Sequence, residues 1–482
     1  MSALTARIPE LLRDGLFRRY WAGQSVSALG DQVTLLVVPL IAVTALHADA
    51  AQMGYLAAAG WLPYLLFSLP AGGWADRRPD RRRVMIATDL GRAALLLTVP
   101  AGYALDLLSP AQLYLVVFAA GSLSVVFNVC NPPLFVALVP ADRYVQGNAL
   151  LNGSRALAYV AGPGLGGLLV QLLAAPAALV ADALSFLASA LLLRRIGPVE
   201  PPGDPAGSGR TTAGLRWIRE SRTVRAALLG TATVNLFTLM TSTLFVLYAV
   251  GELGLSAGLL GAVLGAASIG AVLGAAVTGR ITRRIGVGPA FLLGLIAYPA
   301  PLLLVPAAHG PTPLAAALLF AAEFGSGIGV MVLDIAAGSI FAAVVPDHLR
   351  SRVSGAYQAV NYGVRPIGSL LGGTLGSTLG LRPTLWLAAG GALLSFLWLL
   401  GSPIPRLRDL TAARPDADEP HDEPHDAHDE RLDAPVGERP GEPAGAPTDR
   451  QDPRPVRPVT LTDSGICPTN MTDSDPRPNV RG

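Results

Sequence analysis

Long apolar runs alternate with short polar breaks from about residue 21 to residue 401. Roughly 20 apolar residues in helical conformation cross the hydrocarbon core of a bilayer. Runs of that length predict helices at 21–45, 53–75, 84–106, 111–138, 149–173, 177–195, 226–250, 257–279, 289–308, 314–345, 354–379 and 384–401. The fold class expected is an all-α membrane protein with twelve transmembrane helices. Loops after the even-numbered helices carry Arg77 to Arg83, Arg143, the Arg194–Arg225 group, Arg280, Arg283, Arg284, Arg350 and Arg352. Those after odd-numbered helices hold Arg382, His47 and His309. Arginine-rich loops stay in the cytoplasm. Both termini are therefore expected on that side of a bacterial inner membrane.

The breaks divide the chain. Pro198, Pro201, Pro202, Gly203, Pro205, Gly207 and Gly209 interrupt any helix after residue 195. Residues 196–225 read as a cytoplasmic linker, with an amphipathic interfacial helix over 214–225. The expected units are an N-terminal segment 1–20, a six-helix bundle 21–195, the linker 196–225, a second bundle 226–401 and a tail 402–482. The tail carries 10 Arg against 17 acidic residues and is rich in Pro. It cannot bury a core and is expected to be disordered. His421, His425 and His428 lie there among carboxylates, with nothing to fix a metal geometry.

Composition changes little of this. Only 15% of the residues are charged and 51% are hydrophobic, which excludes a soluble domain. All 36 basic residues are Arg, the coding bias of a GC-rich bacterium. Cys130 and Cys467 are too far apart in sequence to suggest a disulfide framework. Residues 1–20 hold no apolar core with a cleavage site, so no removed signal peptide is expected. The absence of a Walker sequence argues against ATP coupling. Neither a nucleophile–base constellation nor a metal-ligand helix is present, so the chain reads as no enzyme, with no cofactor, metal or nucleic-acid partner.

An internal repeat spans the two bundles at a shift slightly above 200 residues. Phe127-Asn128 and Ala137-Leu138-Val139-Pro140 align with Leu333-Asp334 and Ala343-Val344-Val345-Pro346. Pro163 falls on Pro366, and Gly72, Arg81 and Arg82 fall on Gly274, Arg283 and Arg284. The spacing Gly72-x-x-x-Asp76-Arg77, followed by clustered arginines, resembles the loop signature of major facilitator superfamily transporters, with Pro79 where the family has Gly and Asp80 where it has a basic residue. Gly162-Pro163-Gly164-Leu165-Gly166-Gly167 resembles the fifth-helix motif of that superfamily's drug:proton antiporters, with Ala158 and Ala149 in place of two family glycines. Phe17 to Gln24, Ala75-Asp76-Arg77 and Asp89-Leu90-Gly91-Arg92 look like the bacterial macrolide- and siderophore-exporter branch. The resemblance implies two parallel six-helix repeats around a central cavity. It also implies alternating access, efflux of an amphipathic small molecule, protons and lipid as partners, and a monomer. An importer or uniporter on the same fold, and a non-transporting sensor or assembly factor, remain alternatives.

Charged groups inside the bilayer locate the chemistry, because each costs at least about 2.5 kcal/mol at the centre. Asp31 in the first helix has no basic residue near it in sequence and ranks first for proton exchange or substrate contact. Glu323 and Asp334 share the long tenth helix, and Asn128 is the counterpart of Asp334 in the repeat. Asp89 and Arg92, three residues apart, are expected to pair on one helix face. Asp182 reads as structural. Arg155 and Arg365 are counter-charge candidates for the buried carboxylates. Gly72, Asp76, Arg77, Arg81 and Arg82 form the expected gate motif, and Gly162, Pro163, Gly166 and Gly167 the fifth-helix kink.

Overall fold

A computed structural model describes residues 9–76, 80–197, 211–346 and 349–408. No strand occurs among them. The long helices are α1 (Gly15–Thr44), α2 (Ala50–Asp76), α3 (Arg81–Ala104), α4 (Pro110–Leu138), α5 (Tyr144–Leu173), α6 (Ala175–Arg194), α7 (Arg222–Val246), α8 (Ala257–Ile285), α9 (Val287–Ala297), α10 (Thr312–Val344), α11 (Arg350–Leu379) and α12 (Leu381–Leu393). A π turn, Leu247–Glu252, extends α7. Short turns carry α9 on to Ala307 and α12 on to Leu400. Among the described residues ten helical spans are long and apolar enough to cross a membrane. The helices α2 and α11, of 27 and 30 residues, are not in that set.

Caps explain where several helices begin. The Asp14 side chain accepts from Leu16 N at 2.9 Å, so α1 starts at residue 15 and not at 21 as the apolar run predicts. Ser221 accepts from Val224 N at 3.3 Å. It therefore ends the linker helix at Glu220 and opens α7, so the expected interfacial helix over 214–225 is split into Thr211–Glu220 and the first turn of α7. Asp80, the residue that departs from the family signature, caps α3 through Arg83 N at 3.0 Å. Pro299 and Pro301 stop α9 and force a 3-10 turn. The tail was expected from residue 402, yet the chain stays packed to 408. Ile404 is fully buried, and Leu407 O accepts from Gly288 N at 2.9 Å.

Packing partners recur six helices apart. In the first six, α1 packs on α5 and α6, α2 on α4, and α3 on α4 and α6. Later, α7 packs on α11 and α12, α8 on α10, and α9 on α10. The two sets meet through α2 against α11 and α5 against α8.

Apolar side chains join the sets at one end only. One buried cluster there holds Leu40, Ile41 and Phe186 together with Leu244, Tyr248, Leu260, Val305 and Leu385. At the other end the clusters are separate. Phe17, Tyr20, Met85 and Leu193 belong to one, Phe291, Leu295 and Ile340 to a second, and Ile218, Val224 and Val353 to a third. The separated end is the arginine-bearing one. Arg82 there donates to the carbonyls of Leu193, Arg194 and Ile196, the last at 2.6 Å. A cation on the last carbonyls of α6 complements the helix dipole.

Candidate functional site

Two polar clusters lie in the apolar scaffold, one in each set of helices. The first is built on α1, α3 and α6. Arg92 is 3% exposed and pairs with Asp89 on its own helix, as the spacing predicts. Its guanidinium lies 4.6 Å from the Phe127 ring centroid and 4.0 Å from that of Phe186. Ser124 Oγ accepts a further bond from Arg92 at 3.3 Å. Asp31 stands 3.8 Å from Arg92 Nη1. No basic residue lies near Asp31 in sequence, but α3 brings it a guanidinium that sequence proximity could not reveal. The Asp31 side chain is 49% exposed at mid-helix.

Asp182, read from sequence as structural, belongs to the same cluster. It is fully buried and accepts from Thr34 on α1 and from Ser185 at 2.9 Å. Three acids and one guanidinium thus make up one cluster, the guanidinium pairing with Asp31 and Asp89. A single acid two turns into α6 gave little sign of this from sequence, and the one signal was Gly30, beside Asp31, where a Cβ would come within 2.8 Å of Ser185 Cβ.

The second cluster lines a cavity of about 500 Å³ between α7, α10 and α11. That volume is in the range of small-molecule sites. Asp334 and Arg365 both line it, with Asn235, Tyr298, Phe341, Tyr357 and Asn361. Thr231 and Tyr357 share a hydrogen bond of 2.7 Å, and Asn235 donates to Asn361 at 2.8 Å. Arg365 was expected to pair with a buried carboxylate. It lies close enough to Asp334 to act on that carboxylate, and its guanidinium also sits 4.3 Å from the Trp61 ring and 5.1 Å from that of Tyr362, a cation–π arrangement. Trp61 lies on α2 and Tyr362 on α11, so this stack bridges the two helix sets, with Tyr64 against Tyr362 at 5.8 Å.

The other candidates are dispersed. Glu323 is eleven residues before Asp334 on α10, on the same helix face but about 16 Å along the axis. It makes no ion pair or hydrogen bond among the described residues. Asn128 is exposed on α4 and joins neither cluster. Arg155 is exposed on α5, on the side of Tyr20. The side chains of Gly72 and Asp76, and all of Arg77, lie outside the described residues, whereas Arg81 and Arg82 sit at the start of α3.

The α5 motif packs in two directions. A Cβ on Gly162 would lie 3.0 Å from Gln32 Cγ, and one on Gly166 3.4 Å from Val33 Cα, both on α1. A Cβ on Gly167 would lie 2.6 Å from the Ala257 carbonyl and 3.2 Å from Gly261 Cα, both on α8. Pro163 presents its carbonyl to Gly261. The pattern thus puts one small-residue face on α1 and the adjacent one on α8.

This arrangement is the fold of the major facilitator transporters. A bacterial homologue of the iron transporter ferroportin in an inward-facing state is similar at a TM-score of 0.66 and 17% identity, over 81% of this chain and 99% of that one. The nucleoside transporter NupG is similar at 0.64 and 14%, over 80% and 98%. Within that class the chain belongs to the transmembrane secretion effector family, which matches residues 9–432. It is similar to the multidrug efflux pump Tap of Mycobacterium tuberculosis (strain ATCC 25618 / H37Rv), with 28% identity over 82% of this chain and 94% of the relative. Tap of Mycolicibacterium fortuitum is 27% identical over 80% and 94%. The protein is a membrane transporter and not an enzyme.

Proposed function

We propose that this chain is a proton-coupled exporter of amphipathic small molecules, acting as a monomer by alternating access in a bacterial inner membrane. In this reading α2 and α11 also cross the bilayer, making twelve spans in two parallel six-helix repeats. The recurrence of packing partners six helices apart supports it. The arginine-rich ends and both termini lie in the cytoplasm. The apolar contact between the halves at the opposite end then corresponds to an inward-open state. Tap, described as a multidrug efflux pump, supports the outward direction.

The observation that carries the reading is a charged cluster in each set of helices, one half-exposed and one lining a cavity. Asp31 is half-exposed on α1, and Asp334 and Arg365 line the cavity among α7, α10 and α11. The division of roles follows from chemistry. The first cluster has an excess of acid over base and is suited to gaining and losing a proton. The second offers aromatic faces, amides and one group of each charge, and is suited to holding an amphipathic molecule. Coupling requires that protonation change the relative stability of the two access states.

The test is ethidium movement in proteoliposomes. An imposed pH gradient should drive ethidium against its concentration gradient in exchange for protons. Equal ethidium fluxes with and without the gradient, at matched protein levels, refute the proposal.

A further inference from the structure

Three acids and one guanidinium make up the first cluster, and two of the acids, Asp89 and Asp182, are fully buried. Asp182 makes no ion pair among the described residues, and Arg92 is engaged by Asp89 and Asp31. The two groups that hydrogen-bond Asp182, Thr34 Oγ1 and Ser185 Oγ, are neutral donors. A dry carboxylate without a cation favours its neutral form. Thr34 lies three residues beyond Asp31 on α1, so the hydroxyl and the Asp31 carboxylate are neighbours on one helix face. Asp31 is half-exposed and Asp182 is fully buried. The absence of a side chain at Gly30 lets α6 come this close. Other ionisable groups facing the pair are few. From α3 these are Asp89 and Arg92; from α2, Tyr64 lies on the Asp31 side. On α5, Arg155 is turned toward Tyr20 and Tyr159 toward Tyr64.

We propose that Asp182 carries the exchangeable proton of the transport cycle, and that Asp31 passes it between cavity water and Asp182 with the Thr34 hydroxyl as bridge. The proposal rests on the proton-coupled reading above. A hydronium ion gives its proton to the Asp31 carboxylate and becomes water. Thr34 Oγ then accepts that proton as it donates its own to Asp182. The same atoms run in reverse when the proton leaves, and no co-reactant other than water is needed. Asp31 alternates between ionised and neutral beside Arg92, so its pairing with that guanidinium is made and lost in each cycle. Asp182 thus acts as a proton store, and its loading changes the contact between α1 and α6.

The test is infrared spectroscopy of the full chain in lipid nanodiscs, reading the C=O stretch of protonated carboxyl groups at neutral pH. Asp182→Asn should remove a band that Asp182→Glu retains. Asp31→Asn should keep the band but slow its hydrogen–deuterium shift about a hundredfold, the lower end of what a positioned proton-transfer group contributes. Thr34→Val should move the band, by loss of a hydrogen bond, and slow the exchange as well. A band indifferent to Asp182→Asn, or an exchange rate indifferent to Asp31→Asn, overturns the proposal. Should Asp182→Asn fail to insert, Thr34→Val decides, and an unmoved band with unchanged exchange is then the refuting result. A wild-type protein whose ethidium flux ignores the pH gradient overturns the proton-coupled reading itself and removes the transport role of Asp182. The infrared assignment stands or falls separately from that result.

Discussion

Arg92 is the residue whose surroundings are least forgiving. It is held by two phenylalanine rings, a serine and two carboxylates, with almost no access to water. Removing one partner of a buried pair leaves the other charge uncompensated, at a cost of about 3–5 kcal/mol. Arg92→Gln should therefore lower the thermal unfolding midpoint in detergent markedly. The double variant Arg92→Gln with Asp89→Asn should recover part of the loss, because both charges are then gone. Asp31 has a different character, being half-exposed and only at the edge of the guanidinium's reach. Asp31→Asn should leave folding near wild type, abolish pH-gradient-driven ethidium transport and retain downhill exchange. Paired flux assays separate the two outcomes: loss of both fluxes would make Asp31 a substrate or structural residue, and loss of neither would place coupling elsewhere.

Helix contacts depend on small residues at stated positions. Gly167 and Gly164 stand three residues apart on α5 and differ completely in what a methyl group would meet. At Gly167 it would press on the α8 backbone, whereas at Gly164 nothing lies within 4 Å. Overpacking of this kind costs about 1–3 kcal/mol. Gly167→Ala should wedge α5 from α8 at the closed end and shift the access equilibrium about tenfold. Gly164→Ala should not. Maleimide labelling of Asn128→Cys from the arginine-rich side reads the shift, since wedging the closed end should reduce that access. Equal labelling of the two glycine variants would remove the contact from the gating machinery. The same packing accounts for the doubled motif, whose i and i+4 glycines serve α1 and whose next pair serves α8.

At the scale of the molecule, the packed chain ends with a short segment that the apolar pattern assigned to the tail. Gly286 has a φ of +92° and lies against Arg408, and Gly288 bonds to Leu407. Truncation after Arg408 keeps those contacts and should leave insertion and ethidium efflux near wild type. Truncation after Gly401 removes the buried Ile404 and should reduce thermal stability by about 1.5–3 kcal/mol, the worth of one buried large aliphatic side chain. Thermal unfolding of both truncated chains in detergent checks this.

Helix positions and helix order were legible because bilayer helices are specified by local quantities. Some 20 apolar residues per span, arginine at one set of ends and proline in the linker can be read one segment at a time. The Asp89–Arg92 pair was legible for the same reason, being three residues apart on one helix. The internal repeat announced that two sets of helices would pack alike. What the sequence left open were contacts between residues far apart in the chain. Arg92 reaches Asp31 across 61 positions, Asp182 meets Thr34 across 148, and Arg365 of α11 stacks on Trp61 of α2. A lone buried acid looks alike in sequence whether it faces lipid, a neighbouring helix or a cavity. Only the packing of α1, α3 and α6 decided that three such acids lie in one cluster with a guanidinium that pairs with two of them, because burial and charge pairing are properties of the assembled interior.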